Sequence, residues 1–366
     1  MKAALRLSDE LDGLVDEVTD VNIVIFGDCR DTMRSLKAQG VRVQCCVTSP
    51  PYFGLRDYGH PGQIGREKTP AEYVSALVEV FECVRDLLAD DGVLWLNLGD
   101  TYCSKAPGTR NAAQFNGDHD HADQWPNVLA KTPGMKPKDL MGIPWRVAFA
   151  LQAAGWYLRQ DIIWHKPNPM PESVTDRCTR AHEYLFLLTK SERYYWDAEA
   201  MKEDATGALP GNVNHKHTAE YEDSGDDKHR TKAGLVAYAQ RQRSKRYSFK
   251  RYDSKRAEIP GQTMGTHRAD RAESEYDTGR RNRRSVWTVA VQPYSGAHFA
   301  VFPAALIEPC VLAGSRPGDV VLDPFMGSGT TAQVAQALGR QWIGCELNTE
   351  YAPLQQARTA QVALDI

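Results

Sequence analysis

The sequence predicts an α/β fold, a mixed and mostly parallel sheet covered by helices, interrupted by one polar insertion. Three observations predict it. Short apolar runs alternate with segments of helical spacing through both ends of the 366-residue chain. A composition 42% hydrophobic and 25% charged supports a full-sized core, and excludes a chain disordered throughout, a disulfide-stapled miniprotein and a collagen-like fibre. Residues 201–285 hold only six residues from the set Ile, Leu, Val, Phe and Trp, too few for a core of their own.

In chain order, Val21 to Phe26 reads as a buried strand, followed by a Gly27-Asp28 turn and a helix from Thr32 to Gln39. Val41 to Val47 is a second strand that runs into Thr48-Ser49-Pro50-Pro51-Tyr52. Consecutive prolines cannot continue a ladder, so the backbone must leave the sheet there as a stiff, extended loop. Pro70 to Leu88 places Tyr73, Leu77, Val80, Phe81, Val84 and Leu88 on one stripe, which predicts a helix stopped by Asp90-Asp91-Gly92 before a strand from Val93 to Leu98. Residues 103–138 are polar and read as a long loop. Ile143 to Ala154 has helical spacing; Trp156 to Trp164 and Tyr184 to Leu188 read as strands joined through the Pro-rich segment Lys166 to Pro171. Folded sequence resumes near Val286, with a helix from Pro303 to Leu312, a strand from Val320 to Leu322, a helix from Thr331 to Leu338 and a strand from Trp342 to Cys345 ending on Glu346. The expected organisation is one domain in two parts, residues 1–200 and 286–366, with an insertion at 201–285.

The net charge of −3 disfavours a uniformly basic nucleic-acid binder, but it conceals a split. Residues 201–285 carry 19 Lys and Arg against 13 Asp and Glu, which leaves 25 basic against 34 acidic residues elsewhere. The eight cysteines form no C-x-x-C pair and several sit in apolar runs, so buried, reduced thiols of a cytoplasmic protein are expected. The first residues lack a basic, apolar leader pattern, and no apolar run approaches the ~18 residues that span a bilayer, so no membrane partner is expected.

Two constellations carry chemistry. The first is Asp323-Pro324-Phe325-Met326-Gly327-Ser328-Gly329-Thr330-Thr331, between a strand and a helix. Glycines at such a junction let backbone N–H groups approach a ligand, and the helix N-terminus favours negative charge. Glu346, at the end of the next strand, can accept hydrogen bonds from both ribose hydroxyls. A tight turn with a capped helix is the bland alternative. The spacing also fits a nicotinamide-dinucleotide fingerprint, but that fold needs several further strand–helix units after its acid, and only 20 residues follow Glu346. The remaining strands must therefore come from upstream, which places a nucleoside site last in sequence.

The second constellation is Thr48-Ser49-Pro50-Pro51-Tyr52. Its prolines remove two N–H donors, leaving the Pro50 carbonyl and the Ser49 hydroxyl free to accept from an amino group, while Tyr52 offers a ring for a planar base. Taken alone, a double-proline strand exit with a packed Tyr is commonplace; beside a nucleoside site it becomes a candidate for chemistry.

Together these residues resemble the beta class of amino-group DNA methyltransferases, in which the catalytic motif precedes the cofactor motif. The resemblance covers most of residues 20–200 and 286–352. It implies a Rossmann-like methyltransferase fold and S-adenosylmethionine as cofactor. Ser49, Pro50, Pro51 and Tyr52 match the catalytic motif. Asp323, Pro324, Phe325, Gly327, Ser328, Gly329 and Thr330 match the cofactor loop, and Glu346 the ribose-binding acid. Asp28 matches an acid that contacts the adenine amine, and Phe299 and Pro303 belong to a segment that packs round the methionine end. The implied reaction is direct methyl transfer to the exocyclic amine of a base flipped from duplex DNA, without a covalent intermediate. Ser at the first motif position accompanies cytosine N4 methylation, and Asp or Asn adenine N6 methylation, so Ser49 favours cytosine. Adenine N6 methylation, a structured-RNA methyltransferase and a catalytically silent DNA-binding protein are the competing readings, and a cognate restriction endonuclease is a candidate partner.

The resemblance places target recognition in the insertion. There Arg241, Arg243, Lys245, Arg246, Lys250, Arg251, Lys255 and Arg256 give eight basic residues against one acid, interleaved with Tyr247, Phe249 and Tyr252. Such density neutralises phosphates, and Arg can read guanine edges; a solvated linker is the alternative. A second cluster, Arg280, Arg281, Arg283 and Arg284, closes the insertion. His119-x-His121 and His215-x-His217 have no Cys or acid at ligand spacing, so no metal is expected.

Overall fold

The computed structural model describes residues 4–7 as backbone and residues 21–55, 60, 62–103, 135–204, 280–291 and 302–360. The chain divides into two compact units, Met1–Lys202 with Asn282–Ile366, and Glu203–Arg281.

The larger unit is built on a nine-stranded sheet of order β1-β2-β11-β10-β3-β4-β6-β5-β9. Its strands are β1 (Ala4–Leu7), β2 (Ile23–Phe26), β3 (Val43–Thr48), β4 (Leu88–Leu98), β5 (Tyr157–His165), β6 (His182–Thr189), β9 (Val286–Thr288), β10 (Val320–Asp323) and β11 (Gln341–Glu346). All pairs are parallel except those of β6 with β4 and with β5. Helices α1 (Cys29–Ala38), α2 (Pro70–Leu87) and α3 (Ile143–Ala153) cover one face, where Met33, Leu36, Leu77, Phe81 and Val147 pack on Ile23, Ile25, Cys46, Leu94 and Leu96. On the other face α4 (Ala304–Gly314) and α5 (Thr330–Ala337) bring Leu306, Ile307, Val311 and Ala335 against Val24, Cys45, Val47, Trp95 and Val321. Alternate residues of each strand thus serve opposite cores. A 3-10 turn (Thr349–Tyr351) and α6 (Ala352–Ala360) complete the carboxyl end.

Two boundaries differ from the sequence expectation. α1 begins at Cys29 because the Asp28 side chain accepts the Arg30 N–H (2.8 Å) and caps the helix three residues earlier than the apolar spacing suggests. Asp90-Asp91-Gly92 does not separate helix from strand but lies inside β4; a register shift against β3 between Val43 and Cys45 absorbs it. Glycine is required there, since a Cβ at Gly92 would meet the Ala89 carbonyl oxygen at 2.9 Å. β1, β9 and α6 were not expected. Among the described residues no helix is long and apolar enough to cross a membrane.

The site is set by topology. From β10 the chain winds through α5 to β11 on one side, and from β3 through α2 to β4 on the other, so the central β10–β3 pair is a switch point. Loops leaving its carboxyl ends diverge and open a crevice. In the second unit the described residues are its two ends, which run through a two-stranded sheet of β7 (Lys202–Asp204) with β8 (Arg280–Asn282); there Arg281 Nε donates to Glu203 Oε1 at 2.9 Å.

Candidate active site

A cavity of about 760 Å³ lies over the carboxyl ends of β2, β11, β10, β3 and β4. It brings together Ser49, Pro50, Pro51 and Tyr52 with Asp28, Asp323, Pro324, Phe325, Gly327, Ser328, Thr330 and Glu346. Sequence positions almost 300 residues apart therefore face one space. Gly329 and Pro303 do not line it. Gly329, with φ +89°, sets the left-handed turn into α5, and Pro303 is buried at the start of α4 while its neighbour Phe302 faces the cavity. Phe299 lies outside the described residues, as do Arg241, Arg243, Lys245, Arg246, Lys250, Arg251, Lys255 and Arg256 and the histidine pairs at 119–121 and 215–217.

Asp323 is 1% exposed, and both its oxygens are engaged inside the protein. Oδ1 accepts from Thr48 Oγ1 (2.6 Å) and the Phe325 N–H (3.0 Å); Oδ2 accepts from Thr331 Oγ1 (2.6 Å). Burial pushes its carboxyl up to about 6 against these donors. These bonds tie the end of β3 to the glycine loop across the switch point. Glu346 accepts the N–H groups of Gly327 (2.7 Å) and Asn348 (2.9 Å), and burial raises it to about 7. Asp28 receives three donors from Arg30, its main-chain N–H (2.8 Å), Nε (3.0 Å) and Nη2 (2.6 Å), and Arg30 holds its carboxyl below the ordinary value. Three of about four lone-pair positions are thus taken, leaving room for one further donor. The Ser328 hydroxyl is buried and has no partner among the described residues.

The catalytic-motif loop is held from beneath. The Pro51 carbonyl accepts the Tyr73 hydroxyl (2.9 Å), whereas no donor among the described residues reaches the Pro50 carbonyl. The Tyr52 hydroxyl donates to Glu183 Oε2 (2.7 Å), lies 3.1 Å from Asn97 Oδ1, and receives the Ser49 hydroxyl at 3.4 Å. Asn97 Nδ2 in turn donates to Glu183 Oε2 (3.3 Å) and the Tyr184 carbonyl (3.1 Å). Lys166 pairs with Glu183 and stands over the Trp164 ring at 4.3 Å. Burial, with Glu183 adding, raises the Tyr52 phenol well above its ordinary value, so it stays protonated. A Cβ at Gly99 would lie 2.5 Å from Tyr52 Cε2; only glycine admits the ring there. With its proton directed to Tyr52, Ser49 presents lone pairs to the cavity.

Asn97, Gly99 and Glu183 were not singled out from sequence. Glu183 carried a usable signal, a carboxylate opening an apolar strand run. His165, which reads from sequence as structural or near the mouth of the site, bridges to Thr288 Oγ1 (3.1 Å) between β5 and β9. All eight cysteines are free, six of them buried, and none belongs to the catalytic-motif loop. Burial pushes Cys29 up to about 12 and Cys46 well above its ordinary range, so neither is a ready nucleophile. Among the described residues no cluster of His, Cys, Asp or Glu could hold a metal ion.

Comparison with known proteins decides the family. The DNA methylase family profile matches residues 43–357, a span that contains both constellations. The chain belongs to the DNA methylase family. It is 43% identical over 336 residues to the type II methyltransferase M.SmaI of Serratia marcescens, covering 92% of this chain and 89% of that protein. It is also 43% identical over 334 residues to M.Cfr9I of Citrobacter freundii, covering 90% and 84%. Among solved structures, the PvuII DNA methyltransferase, described as cytosine-N4-specific, superposes with a TM-score of 0.51 at 17% identity, covering 93% of this chain and 86% of that one. At that identity the likeness is one of fold. The methylase has the α/β fold that the order of its elements implied and the Rossmann-like architecture that the resemblance implied, and as a DNA methylase its substrate is DNA.

Proposed function

We propose that the methylase transfers the methyl group of S-adenosylmethionine to the exocyclic N4 of a cytosine flipped out of duplex DNA at a specific site. One observation carries this reading. The Ser49 hydroxyl and the open Pro50 carbonyl face the same cavity as the glycine loop and Glu346. The donor half of the cavity fits a nucleoside with a charged tail: Glu346 offers a carboxylate for ribose hydroxyls, Asp28 keeps one acceptor position for an amine, and the unpartnered Ser328 hydroxyl awaits a polar group. S-adenosylmethionine, when bound, supplies an electrophilic methyl on a sulfonium.

The residues of the chain do the rest. Ser49 and the Pro50 carbonyl accept hydrogen bonds from the two amine N–H groups, which draws the nitrogen lone pair out of conjugation and aims it across the cavity. The Tyr52 ring, fixed through its hydroxyl, supports the base. Because Ser49 donates to Tyr52 and Tyr52 to Glu183, the acceptor geometry exists before substrate arrives, and positioning with electrostatics supplies the rate. Ser49 at the head of the motif supports cytosine over adenine. The eight cations between Arg241 and Arg256 are proposed to hold the duplex, and a cognate restriction endonuclease is proposed as the functional partner.

The test is to methylate duplex DNA with labelled S-adenosylmethionine, digest it and identify the nucleoside. N4-methylcytosine is expected; N6-methyladenine overturns the base assignment, and equal labelling of RNA overturns the duplex. Ser49→Ala is expected to lower the single-turnover rate by about 10² or more with cofactor affinity unchanged; an unaltered rate removes Ser49 from the mechanism.

A further inference from the structure

We propose that Met170 is a wedge that enters the base stack when the target nucleotide leaves it. Met170 is 86% exposed, far more than any other large hydrophobic among the described residues, and it stands at the rim of the active-site cavity. Scattered surface hydrophobics are ordinary. This one sits on a built support. Pro169 and Pro171 flank it and restrict the backbone on both sides. Behind it, the Asn168 side chain pairs with the main chain of Val291, donating to the carbonyl (2.9 Å) and accepting the N–H (2.9 Å). Ahead of it, the Glu172 carboxylate accepts Arg177 Nη1 (2.6 Å) and Nη2 (3.3 Å) and the Arg180 N–H (3.2 Å). A stiff loop pinned at both feet thus carries an apolar tip, where a flexible surface loop would carry polar residues.

The chemistry of the occupant follows from the position. A base removed from a duplex leaves a gap lined by the faces of its stacking neighbours, an apolar slot about one base thick. An unbranched thioether fits such a slot, as apolar side chains inserted between base steps do. The inference rests on the proposed flipping of the target base, and it assigns Met170 to extrusion, not to the transfer step.

The experiment uses the full chain and an oligonucleotide duplex that the wild type methylates, in two forms: the target base normally paired, or opposite an abasic site so that pairing no longer opposes extrusion. Met170→Ala is expected to slow single-turnover methylation of the paired duplex about tenfold or more, while the abasic form stays within about twofold of wild type. Met170→Leu is expected to restore most of the rate. A 2-aminopurine placed beside the target should show a correspondingly smaller fluorescence rise with Met170→Ala. Equal losses on both duplexes, or none on the paired one, overturn the wedge. If the wild type methylates no amino base in either duplex, the flipping reading itself falls, an outcome distinct from a Met170 variant that behaves as wild type.

Discussion

Glu183 shapes the site through one phenol. It accepts the Tyr52 hydroxyl at 2.7 Å and is held by Lys166, so the direction of the Tyr52 ring and of the Ser49 proton depends on this carboxylate. Glu183→Gln is expected to lower the methylation rate by about 10- to 100-fold. Tyr52→Phe added to it should cost much less than Tyr52→Phe alone, because both changes break the same link; additive losses in a double-mutant cycle would separate them. Glu346 carries a pH dependence. Its folded value of about 7, and that of about 6 for Asp323, lie above the unfolded 4.5 and 3.8, so between these limits the folded chain retains protons that the unfolded chain has lost. The contribution of these two groups to stability without ligand is therefore fully present below about pH 4 and is lost as pH rises to about 7. Affinity for S-adenosylmethionine should move the opposite way, since ionised Glu346 is the hydroxyl acceptor. Melting temperatures measured between about pH 5 and 7.5 should fall less steeply for Glu346→Gln than for wild type, and its cofactor affinity should lose most of its pH dependence.

At the level of elements, the strands and helices that build the core were readable because their apolar residues repeat at the period of the structure. β3 and α2 show this best, the first a short run that is apolar except for Gln44 and the closing Thr48, and the second a stripe from Tyr73 to Val84. The Asp90-Asp91-Gly92 segment misled because a strand entrance that bulges looks like a turn until its partner register is known. β6 enters antiparallel between β4 and β5, which no local pattern announces. In the site, residues that belong to contiguous motifs were legible, whereas Glu183, Asn97 and Gly99 act through contacts made only when distant strands meet. Gly314 shows the same limit in packing. It ends α4, and a Cβ there would stand 2.6 Å from Val93 Cγ2 and 2.9 Å from Cys45 Sγ, atoms of two adjacent strands. Gly314→Ala is expected to destabilise the fold by roughly 1–3 kcal/mol through overpacking, read as a lower melting temperature, with cofactor affinity of the folded protein preserved because Gly314 is outside the cavity. A variant as stable as wild type would show that α4 can slide on the sheet.

For the whole molecule, charge and core composition divide the work. The larger unit holds the cavity and tolerates an acidic balance, whereas residues 201–285 carry the excess of 19 basic over 13 acidic side chains with almost no core-forming residues. Their removal is therefore proposed to leave the catalytic fold intact. The two ends of the segment are already close, since Glu203 and Arg281 bond at 2.9 Å, so a short glycine linker between Asp204 and Arg280 can replace residues 205–279. Each phosphate contact contributes about −0.9 to the slope of log affinity against log salt, and the loss of eight clustered cations should both weaken duplex binding by about 100-fold or more and flatten that slope. Titration calorimetry with S-adenosylmethionine should return an affinity near that of wild type. Loss of both affinities would make the segment part of the scaffold, and retention of both would move duplex recognition onto the catalytic unit. Only loss of the duplex with the cofactor kept matches the proposal of a basic segment that holds the DNA and an acidic unit that modifies it.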